Sequence, residues 1–113
     1  MNLYEGMFIL DPHLNDQEVK DLVSDIEEEI KKLNGQIVES HNLGKKRLAY
    51  AINKQVEGYY LSLYFKAETS AIDKLNNKYR LKERIFRNLI LGTTEDLKKE
   101  TIGYLELVGS RSE

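Results

Sequence analysis

The sequence predicts a one-domain α+β fold with elements in the order β-α-β-β-α-β, and three observations carry the prediction. Short apolar and aromatic runs bounded by turn residues occur four times along the chain. Two of the intervening segments show the periodicity of an amphipathic helix. The two middle runs adjoin each other, with alternating side chains and a short polar turn between them, as an antiparallel hairpin requires.

The first run, "LYEGMFIL" (residues 3–10), stops at Asp11-Pro12, so it predicts a strand buried on both faces or nearly so. In "NDQEVKDLVSDIEEEIKKLNG", Val19, Leu22, Val23, Ile26, Ile30 and Leu33 line one face of a helix. Asn15 and Glu18 fit a capping box, and Asn34-Gly35 fits a helix stop. The β period returns from Gln36 to Ile52, where Leu48, Tyr50 and Ile52 alternate with Arg47, Ala49 and Ala51. A polar turn is expected over residues 53–58. In "YYLSLYFK", Tyr59, Leu61, Leu63 and Phe65 then form an apolar face, with Tyr60, Ser62, Tyr64 and Lys66 opposite. The segment "TSAIDKLNNKYRL" predicts a second helix, with Ser70 and Asp73 as cap candidates and Ile72, Leu75 and Tyr79 facing inward. "RIFRNLILG" closes the order as a strand.

This is the ferredoxin-like split β-α-β arrangement, a four-stranded antiparallel sheet with two helices on one face. The other face is left open, and the alternation makes Tyr60 and Tyr64 possible contacts there. Residues 1–93 form the domain, and residues 94–113 a C-terminal tail expected to be mobile when unbound.

The absence of cysteine excludes disulfide scaffolds, thiolate metal sites and cysteine nucleophiles. The opening "MNLYEGMFIL" has no basic region before its apolar run and does not read as a signal peptide. No run approaches the ~18 apolar residues of a membrane span, so a soluble, cytoplasmic protein without membrane attachment is expected. "GKKR" fails as a phosphate loop, because Glu39 and Lys46 occupy positions that need Gly and Ser or Thr. His13 and His41 are far apart, and Glu27, Glu28 and Glu29 point in different directions around a helix. No catalytic constellation, metal site, cofactor site or small-molecule substrate site is expected. "GYYLSLYF" matches the aromatic strand of an RNA-recognition motif poorly, so core packing is the expectation for Tyr59 and Phe65.

Charge is segregated along the chain. The net charge is −2, but residues 16–33 carry −4, residues 44–54 carry +4 and residues 74–87 carry +5. Two basic segments that the fold can bring together are an electrostatic footprint for phosphate. Five or six phosphate contacts alone give weak, salt-sensitive binding, with Kd about 10⁻⁴–10⁻⁶ M, so tight RNA binding requires help from a partner.

Three stretches carry a resemblance to one family: "YEGMFIL" with Asp11-Pro12, "LGKKRLAYAINK" followed by "GYYL", and "RIFRNLIL". From about residue 2 to residue 95 the chain resembles the family of bacterial ribosomal protein six of the small subunit. The resemblance implies a structural component of the ribosome with no enzymatic activity. It also implies binding to the central domain of 16S ribosomal RNA, as a heterodimer with small-subunit ribosomal protein eighteen. Carried onto this sequence, it makes Lys46, Arg47 and Arg87 the leading RNA- or partner-binding candidates, with Arg80, Tyr4 and Glu5 weaker, and Lys45 of the same basic run is a further candidate. Ala51 departs from the family, which commonly has proline there. The alternative is a free-standing ferredoxin-like regulatory or ligand-binding domain that homodimerises through its sheet.

Overall fold

The computed structural model describes residues 1–52 and 55–98, with side chains at all of these except 46–52 and 55–56. Strand β1 (Asn2–Leu10) leads to helix α1 (Asp16–Lys32), then strands β2 (Gln36–Ile52) and β3 (Gln55–Ala67), helix α2 (Thr69–Arg80) and strand β4 (Ile85–Gly92). The sheet is antiparallel throughout with strand order β2-β3-β1-β4, so the two central strands are the first and third. The predicted element order is the observed one, and the fold is the ferredoxin-like split β-α-β.

Helix α1 begins where expected. The Asn15 side chain accepts from the Glu18 N–H at 2.8 Å, and Glu18 Oε1 accepts from the Asn15 N–H at 3.0 Å. Two orphan donors of the first turn are thus satisfied reciprocally. The helix stops at Asn34, which takes a left-handed φ of 65°. Gly35 follows because a Cβ there would lie 2.5 Å from Ile30 Cγ2 and 2.9 Å from the Ile30 carbonyl oxygen.

Helix α2 differs from expectation at its start: the N-cap is Glu68, with no side-chain cap, rather than Ser70. Its first residue, Thr69, accepts hydrogen bonds from Asn2 Nδ2 at 3.0 Å and the Tyr4 hydroxyl at 3.2 Å. That tie to β1 registers the helix start in place of a cap.

Both helices cover one face of the sheet. Phe8, Leu10, Leu61, Leu63 and Phe65 meet Val19, Ile26, Ile30, Leu75 and Tyr79 there. The Tyr79 ring packs edge-on to Phe8 at 5.1 Å between centroids, and its hydroxyl donates to the Ile26 carbonyl at 2.7 Å, joining α2 to α1. Strand β1 is not buried on both faces: Tyr4, Gly6, Phe8 and Leu10 are buried, whereas Leu3, Glu5, Met7 and Ile9 are partly exposed. The strand is central, but the helices lie on one side only, so its apolar run ends up half covered. A register shift between Ile9 and Leu10 brings Ile85, rather than Phe86, opposite Leu10 in the core.

Candidate nucleic-acid interface

Strand register decides where the basic residues meet. Pairing of β1 with β3 ends at Leu10 with Tyr59, yet β2 and β3 continue past that point, with Lys46 opposite Gly58, Arg47 opposite Glu57 and Ile52 opposite Gln55. The predicted turn is therefore shorter than expected, since β3 begins at Gln55. Beyond Leu10, among the described residues, the hairpin pairs only with itself and overhangs the end of the sheet as a two-stranded arm. The side chains of Lys46 and Arg47, and the predicted alternation over residues 47–52, lie outside the described side chains.

Lys45 sits where the arm leaves the sheet. A bulge precedes it, with Gly44 at a φ of +76° and its N–H donating to Asn42 Oδ1 at 3.0 Å. The left-handed conformation suits glycine, and the bulge resets the alternation so that Lys45 pairs with Tyr59. The exposed Lys45 ammonium stands 5.7 Å from the centroid of the Tyr59 ring. Tyr59 itself packs against the core, as do Phe65 and its neighbours.

Helix α2 ends and β4 starts at this same end, because Ile85 pairs with Leu10. Arg80 is exposed at the end of α2, and Arg87 is exposed on β4. Asn88 donates to Asn76 of α2 on the helix side, so neighbouring Arg87 occupies the open face. Lys45 and Arg87 thus share one end of the sheet but lie on opposite faces and on its two outer strands. Four strands about 4.8 Å apart separate the outer two by roughly 14 Å.

Part of the positive charge counted from the sequence is consumed inside the molecule. Lys78 Nζ lies 3.6 Å from Glu29, and Arg84 lies 2.8 Å from Asp11. Burial pushes the Glu29 carboxyl up, but the hydrogen bond from Lys32 and the charges of Lys78, Lys32 and Lys82 outweigh it, leaving the net shift downward. Burial likewise pushes Asp11 up, and the His13 N–H together with the Arg84 hydrogen bond and charge bring it below the ordinary value. The basic segment of residues 74–87 is therefore partly tied to the acidic helix α1, and its outward charge is smaller than +5.

The open face reads as three rows across the sheet. Leu91, Glu5, Tyr64 and Glu39 form one, Leu89, Met7, Ser62 and His41 the next, and Arg87, Ile9, Tyr60 and Gly44 the third. Leu89 and Leu91 are about half exposed, at 55% and 51%. Tyr60 is partly exposed, but Tyr64 is 0% exposed and offers no surface to a partner. Its hydroxyl donates to Glu5 Oε2 at 3.1 Å, and the Lys98 ammonium stands 6.0 Å from its ring. Tyr4 is also buried, stacked 5.8 Å from Phe65 on the helix side, so among the weaker candidates only Glu5 shares the open face. The expectation of an open face overlooked Lys98, and the paired Glu39 and His41 on β2 were the available signal.

His13 is bonded to Asp11, and Glu29 to the lysines around it. Among the described residues no cluster of His, Asp or Glu could hold a metal ion, and no helix is long and apolar enough to cross a membrane.

Comparison with known proteins agrees with this architecture. The family model described as Ribosomal protein S6 matches residues 3–91. The small ribosomal subunit protein bS6 of Helicobacter acinonychis (strain Sheeba) is 42% identical over 108 residues, covering 96% of this chain and 75% of that protein. The bS6 protein of Protochlamydia amoebophila (strain UWE25) is 39% identical over 98 residues, covering 87% and 86%. The crystal structure of 30S ribosomal protein S6 from Thermotoga maritima superposes with a TM-score of 0.79 at 30% identity, covering 91% of this chain and 97% of that one. That family is a structural, non-enzymatic part of the small ribosomal subunit in the bacterial cytoplasm. With the model matched across all four strands and both helices, the chain belongs to the ribosomal protein S6 family.

Proposed function

We propose that the chain binds the central domain of 16S ribosomal RNA together with small-subunit ribosomal protein eighteen, as one half of a heterodimer. The observation that carries this reading is the overhanging arm, which carries Lys46 and Arg47 beyond the sheet, with Lys45 at its base, at the end where Arg80 and Arg87 also lie. An arm that extends past the last pair of β1 with β3 reaches a phosphate backbone without disturbing the core. The partner follows from two limits. The outward positive charge is modest once Lys78 and Arg84 are paired, so RNA affinity needs a second source of charge. The open face meanwhile presents Leu89, Leu91, Met7, Ile9 and Tyr60, apolar surface of the kind a protein partner covers. Glu5 shares that face and can meet a basic partner, whereas Tyr4 supports the site from within.

The test is a titration of labelled central-domain RNA with the chain alone, with the basic partner alone and with both, at two salt concentrations. Tight, salt-sensitive binding is expected only when both proteins are present. Equal binding by the partner alone removes the chain from the interface. A stable homodimer with no RNA binding in any mixture returns the alternative of a free-standing ferredoxin-like domain.

A further inference from the structure

Residues 93–98 stay on the sheet, and the rest of the tail expected over residues 94–113 lies outside the described residues. The Thr93 N–H donates to the Leu3 carbonyl at 3.0 Å, Thr94 Oγ1 accepts from the Leu97 N–H at 3.2 Å, and the Lys98 N–H closes one helical turn on the Thr94 carbonyl at 2.8 Å. This path carries the segment from β4 across the start of β1 to β2. There Lys98 Nζ lies 3.0 Å from Glu39 Oε2, with Glu95 Oε2 at 3.4 Å.

The burial along this segment inverts the usual order. The Lys98 side chain is only 12% exposed, whereas its apolar neighbour Leu97 is 51% exposed. Lysine is rarely covered unless paired, and leucine normally supplies the anchor. Among the described residues the segment's hold on β2 is ionic, with the Lys98 ammonium on Glu39 and 6.0 Å from the centroid of the Tyr64 ring. Beneath it the packing is imperfect. His41 Nε2 is 4.0 Å from Glu39 Oε2, too far for a hydrogen bond, and Ser62 Oγ is buried with no partner among the described residues. Unsatisfied buried polar atoms raise the cost of closure, and opening would return them to water.

We propose that residues 94–98 form a strap, locked by the Lys98–Glu39 ion pair, that opens and closes over the row of Tyr64 on the sheet. The closed strap hides the polar half of the face and leaves the apolar half at β4 exposed. Removing either partner of the lock loosens the strap, whereas salt acts less, because a pair this well covered is screened much less than an exposed one. Any molecule that seats across the whole face has to lift it.

The test uses the full chain alone, so its result does not depend on RNA or on the proposed partner. Tyrosine nitration by tetranitromethane is mapped by mass spectrometry in about 0.05 M and about 1 M NaCl, where the Debye length is roughly 14 and 3 Å, on the unaltered chain, Lys98→Ala and Glu39→Gln. Tyr60, partly exposed, is the reference, and Tyr79, sealed between the helices, reports global unfolding. At low salt, Tyr64 of the unaltered chain is expected to react at least about tenfold more slowly than Tyr60, from its full burial. Either substitution is expected to raise the Tyr64 rate several-fold at both salts while Tyr79 stays protected, with high salt alone acting less on the unaltered chain. Tyr64 remaining unreactive in both variants at both salts would overturn the strap. Tyr64 and Tyr79 rising together would overturn it as well, since exposure would then follow unfolding of the whole domain.

Discussion

Replacing Tyr79 with Phe isolates a hydrogen bond that crosses between the helices in the core. Tyr79 is 0% exposed, and its hydroxyl donates to the Ile26 carbonyl of α1 at 2.7 Å. Two effects compete in setting the magnitude. Losing a neutral hydrogen bond costs about 1 kcal/mol, and leaving a buried acceptor without any partner adds about 1–3 kcal/mol. Ile26 lies within α1, so its carbonyl keeps the helical bond from the N–H four residues on, and the second effect is small. The ring and its edge-on contact with Phe8 are retained. The expected loss is therefore about 1 kcal/mol, a fall in Tm of roughly 4 °C for a domain of this size. Thermal unfolding and urea titration followed by circular dichroism measure both. The alkaline limb gives an independent check. Burial, and secondarily the Glu29 charge, raise the Tyr79 phenol well above 10.0. The unfolded chain releases that proton as pH passes the ordinary value while the folded chain holds it, so stability present below that value declines as pH rises. Tyr79→Phe should flatten this decline. A loss below about 0.3 kcal/mol with an unchanged alkaline limb would refute the reasoning, as would a loss above about 3 kcal/mol, which belongs to repacking rather than to one hydrogen bond.

Gly35→Ala should destabilise by about 1–3 kcal/mol in urea titration, because two of the atoms that the new Cβ would meet, the Ile30 and Lys66 carbonyl oxygens at 2.9 and 3.1 Å, are backbone and cannot swing away. Asp11 and Glu29 are both held below their ordinary values, so their stabilisation is complete above those values and lost as pH falls through the lower folded ones. Arg84→Ala should accordingly cost up to about 1 kcal/mol at neutral pH, and the difference from the unaltered chain should shrink below the Asp11 reference of 3.8. Tyr64→Ala should cost about 3–5 kcal/mol of folding stability, whereas Tyr60→Ala should leave the fold intact and weaken only the partner interaction. Arg47→Glu should leave Tm nearly unchanged and weaken RNA assembly by more than the about 0–1 kcal/mol of a surface ion pair; unchanged assembly at physiological salt removes Arg47 from the interface.

Local pattern and local chemistry account for the element order. The face of α1, its capping box at Asn15 and Glu18, its stop at Asn34-Gly35 and the core alternation of β3 all depend on contacts within a few residues. Such signals are written in spacing alone. The family resemblance was visible at the same level, in the stretches of β1, the hairpin and β4, and the family match covers them. The site was only half visible. Residue types and charge runs marked the basic candidates, but which of them meet depends on strand register, which no local spacing specifies. Pairing of Leu10 with both Tyr59 and Ile85 puts the arm beside the start of β4, and the same register sends Lys45 and Arg87 to opposite faces. Segments more than thirty residues apart decide the rest: Glu29 neutralises Lys78, Asp11 holds Arg84, Thr69 starts α2 by bonding β1, and Lys98 stands over Tyr64. Periodicity reports the side of an element on which a residue lies. What covers that side is set by the chain that folds over it, and so Tyr64, which alternation assigns to an open face, is buried.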